Sequence, residues 1–104
     1  MDLHVYFAYF FGGIFLGNAI PHLVNGISGR KFPTPFANSF GNGPSSSMAN
    51  VLWAFANLTA SYFLIFHVWF FNPYSLRDVG MVGLGFLFIS VRLSQSFEKL
   101  DQGS

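Results

Sequence analysis

Three long apolar runs divide the chain, and each is long enough to form a membrane-spanning helix. The first run, Leu3–Val24, and the second, Ala49–Phe71, contain no Asp, Glu, Lys or Arg, while the third, Val79–Val91, is followed at once by Arg92. A helix needs roughly 20 apolar residues to cross about 30 Å of hydrocarbon. Arg92 can extend its guanidinium from the third run to the interface. The pattern predicts an all-α integral membrane bundle of three transmembrane helices. The predicted boundaries are about 3–25, 48–71 and 76–97.

The third helix has a clear start signal but is the weakest of the three spans. Asn72 and Pro73 precede it, and Ser75 stands three residues before Asp78, which is the spacing of a capping box. The alternative to three spans is two spans followed by a third helix that lies in the interface.

The connection between the first two predicted helices, residues 26–47, is long for a helical hairpin. It is rich in Gly, Pro, Ser and Asn, yet it also contains Phe32, Phe36 and Phe40. We expect this loop to lie partly at the membrane interface, with its rings among lipid headgroups. A re-entrant lid or a partner-docking surface is the alternative. The serines at 45–47 predict an N-cap for the second helix.

The composition agrees with lipid as the main solvent. The chain has 104 residues, of which 52% are hydrophobic and 9% are charged, and fifteen are Phe. Soluble domains carry about 25% charged residues, and so small a globule could not bury so much apolar surface. We therefore expect one membrane domain, residues 1–104, with the lipid bilayer as its first partner. The net charge of +1 offers no basic surface for nucleic acid.

The basic residues predict an orientation. With three spans, Arg30, Lys31, Arg92 and Lys99 fall on one side and Arg77 on the other. Cytoplasmic loops of membrane proteins carry the excess of Lys and Arg. We expect the N-terminus outside and the C-terminus in the cytoplasm.

Polar side chains form a stripe on each of the first two helices. At about 100° per residue, Asn18, His22 and Asn25 share one face of the first helix, and Asn50 and Asn57 lie seven residues apart on the second. In an antiparallel pair, the numbers of facing residues have a constant sum. The pairs 18 with 57 and 25 with 50 share the sum 75. We therefore expect the two stripes to face each other, because an amide exposed to hydrocarbon costs several kcal/mol.

A proline, Pro21, lies among the polar residues of the first predicted helix. Pro21 cannot donate to the carbonyl of Gly17, so a kink and a free acceptor are expected there. The same register places Trp53 beside His22, and His67 against Ala8. Two interpretations stay open: a kinked helix end with satisfied polar groups, or a small polar pocket that opens to the cytoplasm and includes the third helix. The candidate ligand or pathway residues are Asn18, His22, Asn25, Asn50, Asn57 and Arg92.

Small residues predict where the helices pack closely. Membrane helices associate through small residues and interhelical hydrogen bonds, since lipid provides little hydrophobic drive. Gly13 and Gly17 form a small-xxx-small pair, Ala56 and Ala60 form another, and Gly83 lies in a glycine-rich stretch of the third run.

The residues for several chemistries are missing. No Asp or Glu is expected at mid-membrane, which disfavours proton-coupled transport, and no set of nucleophile, base and acid is visible, so we expect no enzyme. We expect no cofactor, but His4 and His67, both near the outer interface, could hold a haem or chlorin. His22 lies more than about 20 Å from them along the helix, so it would take no part.

The segment "PHLVNGISGRKFPTPFAN", followed by a second span that carries Asn, resembles small bacterial multi-span membrane proteins with a Gly-Arg/Lys-Phe-Pro-x-Pro-Phe loop. The resemblance covers roughly residues 17–60. It implies no particular activity. Independently of it, we expect the chain to lie in the bacterial inner membrane.

Three functions are compatible with these features. The leading hypothesis is a non-enzymatic accessory or assembly subunit that packs against itself or another membrane protein. The alternative is an oligomeric channel or small-solute carrier with a polar pathway near Asn18, His22, Asn57 and Arg92. The third hypothesis is a haem- or chlorin-binding subunit.

Overall fold

The chain forms three helices, and the prediction of an all-α protein is confirmed. The structure, a computed structural model, describes residues 2–35 and 44–103, with side chains as far as residue 99. The helices are α1 (Leu3–Ile27), α2 (Ser47–Phe66) and α3 (Leu76–Gly103). Both α1 and α2 are long and apolar enough to cross a membrane.

The central helix is α1, which packs against both of the others. Contacts between α1 and α2 pair early residues of one with late residues of the other, so these helices are antiparallel. Contacts between α1 and α3 run in the same chain direction: Gly13 faces Val82, and Gly17 faces Ile89. The folded chain measures 45 × 25 × 23 Å, so its long dimension is that of the helices.

The first helix passes through Pro21 without interruption and ends in a defined turn. Gly29 has φ +74°, a left-handed conformation that only glycine adopts easily. The backbone N–H of Gly29 bonds the carbonyl of Gly26, and that of Arg30 bonds the carbonyl of Asn25, at 3.1 and 2.9 Å. This is a Schellman ending, and it directs the chain back toward α2.

The second helix begins as predicted but ends five residues early. The side chain of Ser46 accepts from the backbone N–H of Ala49 and caps the first turn. At the other end, the chain leaves the helix after Phe66, and the ring of Phe71 packs edge-on against Tyr9 of α1 at 5.4 Å. Residues 67–71 therefore fold back over the bundle, which an extension of the helix to residue 71 would prevent.

The third helix starts where the capping signal places it and continues beyond the predicted end. The hydroxyl of Ser75 accepts from the backbone N–H of Asp78 at 3.2 Å, and the carboxylate of Asp78 accepts from the N–H of Asn72 at 3.0 Å. The helix continues to Gly103, six residues past the predicted 97. The apolar run ends at Val91, but the residues that follow Phe97 supply no stop signal before Gly103.

Glycine permits close contact between α1 and α3. A methyl group on Gly13 would overlap the backbone carbonyl of Val82, and one on Gly85 would overlap that of Phe10. A methyl group on Gly17 would press on the side chain of Ile89. The packing roles predicted for Gly13 and Gly17 are confirmed.

The other three predicted packing residues are not among the buried residues of their helices. Gly83 is exposed and has open space where a side chain would be, because Gly85 is the glycine that faces α1. Ala56 is exposed and Ala60 is half-buried. The buried face of α2 follows a different stripe, in which the polar residues point inward. Its members are Asn50, Ala54, Asn57, Ser61 and Ile65.

Candidate functional site

Polar side chains join α1 and α2 along a buried seam. The amide nitrogen Nδ2 of Asn18 donates to Oδ1 of Asn57 at 2.9 Å, as the predicted register requires. Nδ2 of Asn57 donates in turn to the carbonyl of Trp53, one turn earlier, at 2.8 Å. This second bond defines which end of the Asn57 amide faces Asn18. The ring of Trp53 lies beside His22, as predicted, with the centroids 6.5 Å apart.

The second junction of the seam is formed by His22 and Asn50. Nδ1 of His22 lies 2.8 Å from Oδ1 of Asn50. The Nδ2 group of Asn50 donates to the carbonyls of Phe32, Ser45 and Ser46 at 2.9, 3.2 and 3.0 Å. Since Oδ1 can only accept, His22 must carry its proton on Nδ1. Asn50 is fully buried and His22 nearly so.

The predicted pairing of Asn25 with Asn50 was wrong. Nδ2 of Asn25 donates to the carbonyl of Pro21 in its own helix at 2.8 Å, and Oδ1 accepts from Nε of Arg30 at 3.0 Å. The oxygen of Asn50 bonds His22 and its nitrogen donates to three carbonyls, and none of these bonds involves Asn25. The turn after α1 brings Arg30 to Asn25 instead.

The loop covers this end of the seam. Phe32 and Ser45 form a two-residue antiparallel bridge with backbone bonds of 3.1 and 3.0 Å, and the hydroxyls of Thr34 and Ser45 lie 2.6 Å apart. The ring of Phe32 packs between His22 and Phe97, at 5.5 and 4.7 Å. The described part of the loop is therefore folded onto the helices. The predicted headgroup contacts of Phe36 and Phe40 lie outside the described residues.

Arg92 was wrongly placed in the polar cluster. Its side chain is exposed and borders an apolar cavity of about 460 Å³ on the outer side of α3. The third helix meets α1 through Val82, Phe86 and Ile89 as well as Gly85. At about 100° per residue the centre of this set lies to one side of Gly85, so Arg92, which shares the angular position of Gly85, falls at the edge of the contact.

His4 and His67 lie in different surroundings. His4 borders an apolar cavity of about 460 Å³ together with Ala8 and Leu64. His67 follows the last residue of α2 and packs against its own helix, with ring centroids 5.0 Å from Tyr62 and 4.9 Å from Phe63. The expected contact of His67 with Ala8 is not among these, and the residues of the second half of the chain that border the cavity beside Ala8 are Leu64 and Val68.

The sequence reasoning did not predict that Ser61, Tyr9 and Asp78 are buried. The hydroxyl of Ser61 donates to the carbonyl of Gly12 at 2.7 Å and extends the seam. Its spacing of four residues from Asn57 was a usable signal. Tyr9 and Asp78 are buried at the opposite end of the bundle. Among the described residues, neither Oη of Tyr9 nor Oδ1 of Asp78 has a hydrogen-bond partner.

Comparisons with protein-family models, with curated protein sequences and with solved structures find no match to this chain. Among the described side chains, no three His, Asp or Glu residues come together as they would around a metal ion. What the protein does must therefore be inferred from its own residues.

Proposed function

We propose that this chain is an integral protein of the bacterial inner membrane, and that it serves as a non-enzymatic accessory or assembly subunit. In this proposal its three helices span the bilayer, with the N-terminus outside and the C-terminus in the cytoplasm. Its partner is a second copy or another membrane protein.

The distribution of polar and apolar side chains carries the membrane part of the proposal. The polar groups of α1 and α2 are turned inward and bonded to one another, as for Asn18 with Asn57 and His22 with Asn50. The outward side chains are large and apolar. Soluble proteins of this size rarely expose such continuous apolar surface. Among the exposed residues are Phe7, Phe11, Leu52, Phe55, Phe63 and Phe66.

The open arrangement of the helices supports a role as a subunit. Because α2 and α3 pack against α1 more than against each other, an apolar groove of about 350 Å³ remains between them. Leu16 of α1 lies in this groove, with Leu58 and Tyr62 on one wall and Val82 on the other. A helix of a partner protein would complete the fourth side of the bundle through van der Waals packing, which drives association in lipid.

The other two functions have less support. A polar pathway needs free polar groups, but Asn18, His22 and Asn57 are bonded within the chain, and Arg92 lies on another face. A haem or chlorin held by two histidines needs both beside one cavity, and His67 packs against Tyr62 and Phe63.

The test is the assembly state of the chain in mild detergent, measured by native mass spectrometry after purification from its own membrane. We expect a defined assembly with itself or with another chain. Leu58→Trp, which fills the groove, should weaken that assembly. Leu52→Trp is the matched control, because Leu52 is 64% exposed on α2 and does not line the groove.

Lone protomers under all mild conditions would contradict the assembly role. Equal loss of assembly in both variants would show that the groove is not the contact. Circular dichroism of each variant would establish that the helices remain folded.

A further inference from the structure

We infer that the outer face of α3 is a binding site for an anionic phospholipid, with Arg92 as the phosphate ligand. This inference rests on the proposed membrane location. The site consists of the apolar cavity on that face together with the cation at one end of it. Its lining residues are Phe10, Leu84, Leu87, Phe88, Val91 and Arg92.

The apolar part of the site is an open groove on the outer face of α3. The rings of Phe10 and Phe88 lie 5.9 Å apart and form its floor, which joins α1 to α3. Leu84, Leu87 and Val91 stand along the groove and are between 47% and 59% exposed. The cavity volume of about 460 Å³ is sufficient for a large part of an acyl chain, since small-molecule pockets generally measure about 300–1,000 Å³.

Arg92 is a cation without a protein counter-charge. Among the described residues, its guanidinium takes part in no ion pair or hydrogen bond. The next acid along the helix, Glu98, lies about 9 Å further on and about a third of a turn around it. A phosphate can accept two parallel bonds from the guanidinium, and this geometry favours Arg in phosphate recognition.

The position of Arg92 suits a lipid headgroup. Arg92 lies about 24 Å along α3 from Leu76, near the far end of a hydrocarbon layer that measures about 30 Å. Lys99 lies seven residues further on and on the same face of α3. A second cation therefore lies beyond Arg92, on the side of the site where the headgroup would be. The site has apolar contacts toward the middle of α3 and positive charges toward its C-terminal end. This combination matches a phospholipid better than a soluble anion.

The test is the competition between phosphatidylglycerol and phosphatidylcholine for the purified full-length chain, followed by native mass spectrometry. We expect the wild-type chain to retain phosphatidylglycerol in preference by roughly five-fold, the effect of about one basic residue at an anionic membrane surface. Arg92→Gln should abolish the preference, and Arg92→Lys should retain part of it. Arg77→Gln is the matched control and should leave the preference unchanged, because Arg77 lies at the opposite end of α3 over the ring of Tyr6.

A second measurement locates the lipid. The chain has no cysteine, so Leu87→Cys and Leu52→Cys each provide one attachment point for a fluorophore. Brominated phosphatidylglycerol should quench the probe at residue 87 more than brominated phosphatidylcholine does. At residue 52, on the exposed face of α2, the two lipids should quench equally.

An unchanged preference in Arg92→Gln, or equal loss in Arg77→Gln, would overturn the inference. Displacement of the lipid by millimolar glycerol phosphate would also overturn it, in favour of a site for a soluble anion. These failures differ from failure of the proposed function: a chain that alkaline carbonate removes from the membrane is not integral, whereas one that stays in the membrane without lipid preference contradicts the lipid site alone.

Discussion

Asn50 has the largest share of hydrogen bonds in the polar seam. Its amide connects α2 to His22 of α1 and to three carbonyls at the start of the helix and in the loop. The hydrogen bond from Asn50 to the carbonyl of Phe32 fixes the loop at the point where the ring of Phe32 packs against His22. One buried side chain therefore holds together two helices and the connection between them.

The first prediction compares two asparagines of the seam region. Asn50→Ala should lower the free energy of unfolding by about 2 kcal/mol or more, because each buried polar group left unpaired costs about 1–3 kcal/mol. Asn25→Ala is the matched control and should cost less than about 1 kcal/mol, since Asn25 bonds its own helix and an exposed arginine. Reversible unfolding in mixed detergent measures both. Equal losses would contradict the central role of Asn50.

The contact of α1 with α2 differs in kind from its contact with α3. Toward α2 the contact combines hydrogen bonds with small residues, such as Ser61 with the carbonyl of Gly12. Toward α3 the backbones themselves approach, where Gly13 meets Val82 and Gly85 meets Phe10. The α1–α3 contact therefore depends on the absence of side chains at two positions.

The second prediction concerns two glycines of α3. Gly85→Ala should destabilise the protein by about 1–3 kcal/mol or more, the cost of overpacking, because its methyl group would overlap the carbonyl of Phe10. Gly83→Ala should be neutral or stabilising by up to about 1 kcal/mol through helix propensity, since its methyl group meets open space. Thermal unfolding followed by circular dichroism separates the two. A stable Gly85→Ala variant would show that the backbones are not in close contact.

At the scale of the whole molecule, the chain has two unlike ends. One end carries the loop, Asn50 and Phe32, and the other carries the buried pair Tyr9 and Asp78. The basic residues favour the loop end, where Arg30 and Lys31 follow α1. The proposed orientation places that end in the cytoplasm.

The third prediction tests the topology with single cysteines and a maleimide that does not cross membranes. Tyr74→Cys, in the exposed turn between α2 and α3, should react from outside the cell. Ser28→Cys and Ser96→Cys should react only after permeabilisation. Reaction at residue 96 from outside, with residue 28 still protected, would indicate that α3 lies in the interface and that the chain spans the membrane twice.

The apolar runs and the local signals determined the elements by themselves. Ser46 and Ser75 cap the helices where their positions predicted, and the spacing of Asn18 and Asn57 gave the antiparallel register. These features depend on neighbouring residues within one helix or on the period of 3.6 residues per helical turn, so they can be derived from the sequence.

Tertiary structure decided which of several equivalent residues form the contacts. The register paired Asn25 with Asn50, but His22, one turn earlier on the same stripe, is the residue that bonds Asn50. Gly85 rather than Gly83 faces α1, and Arg92 falls at the exposed edge of that contact. Such choices depend on crossing angles and on competition for hydrogen bonds between distant segments, which no single stretch of sequence specifies.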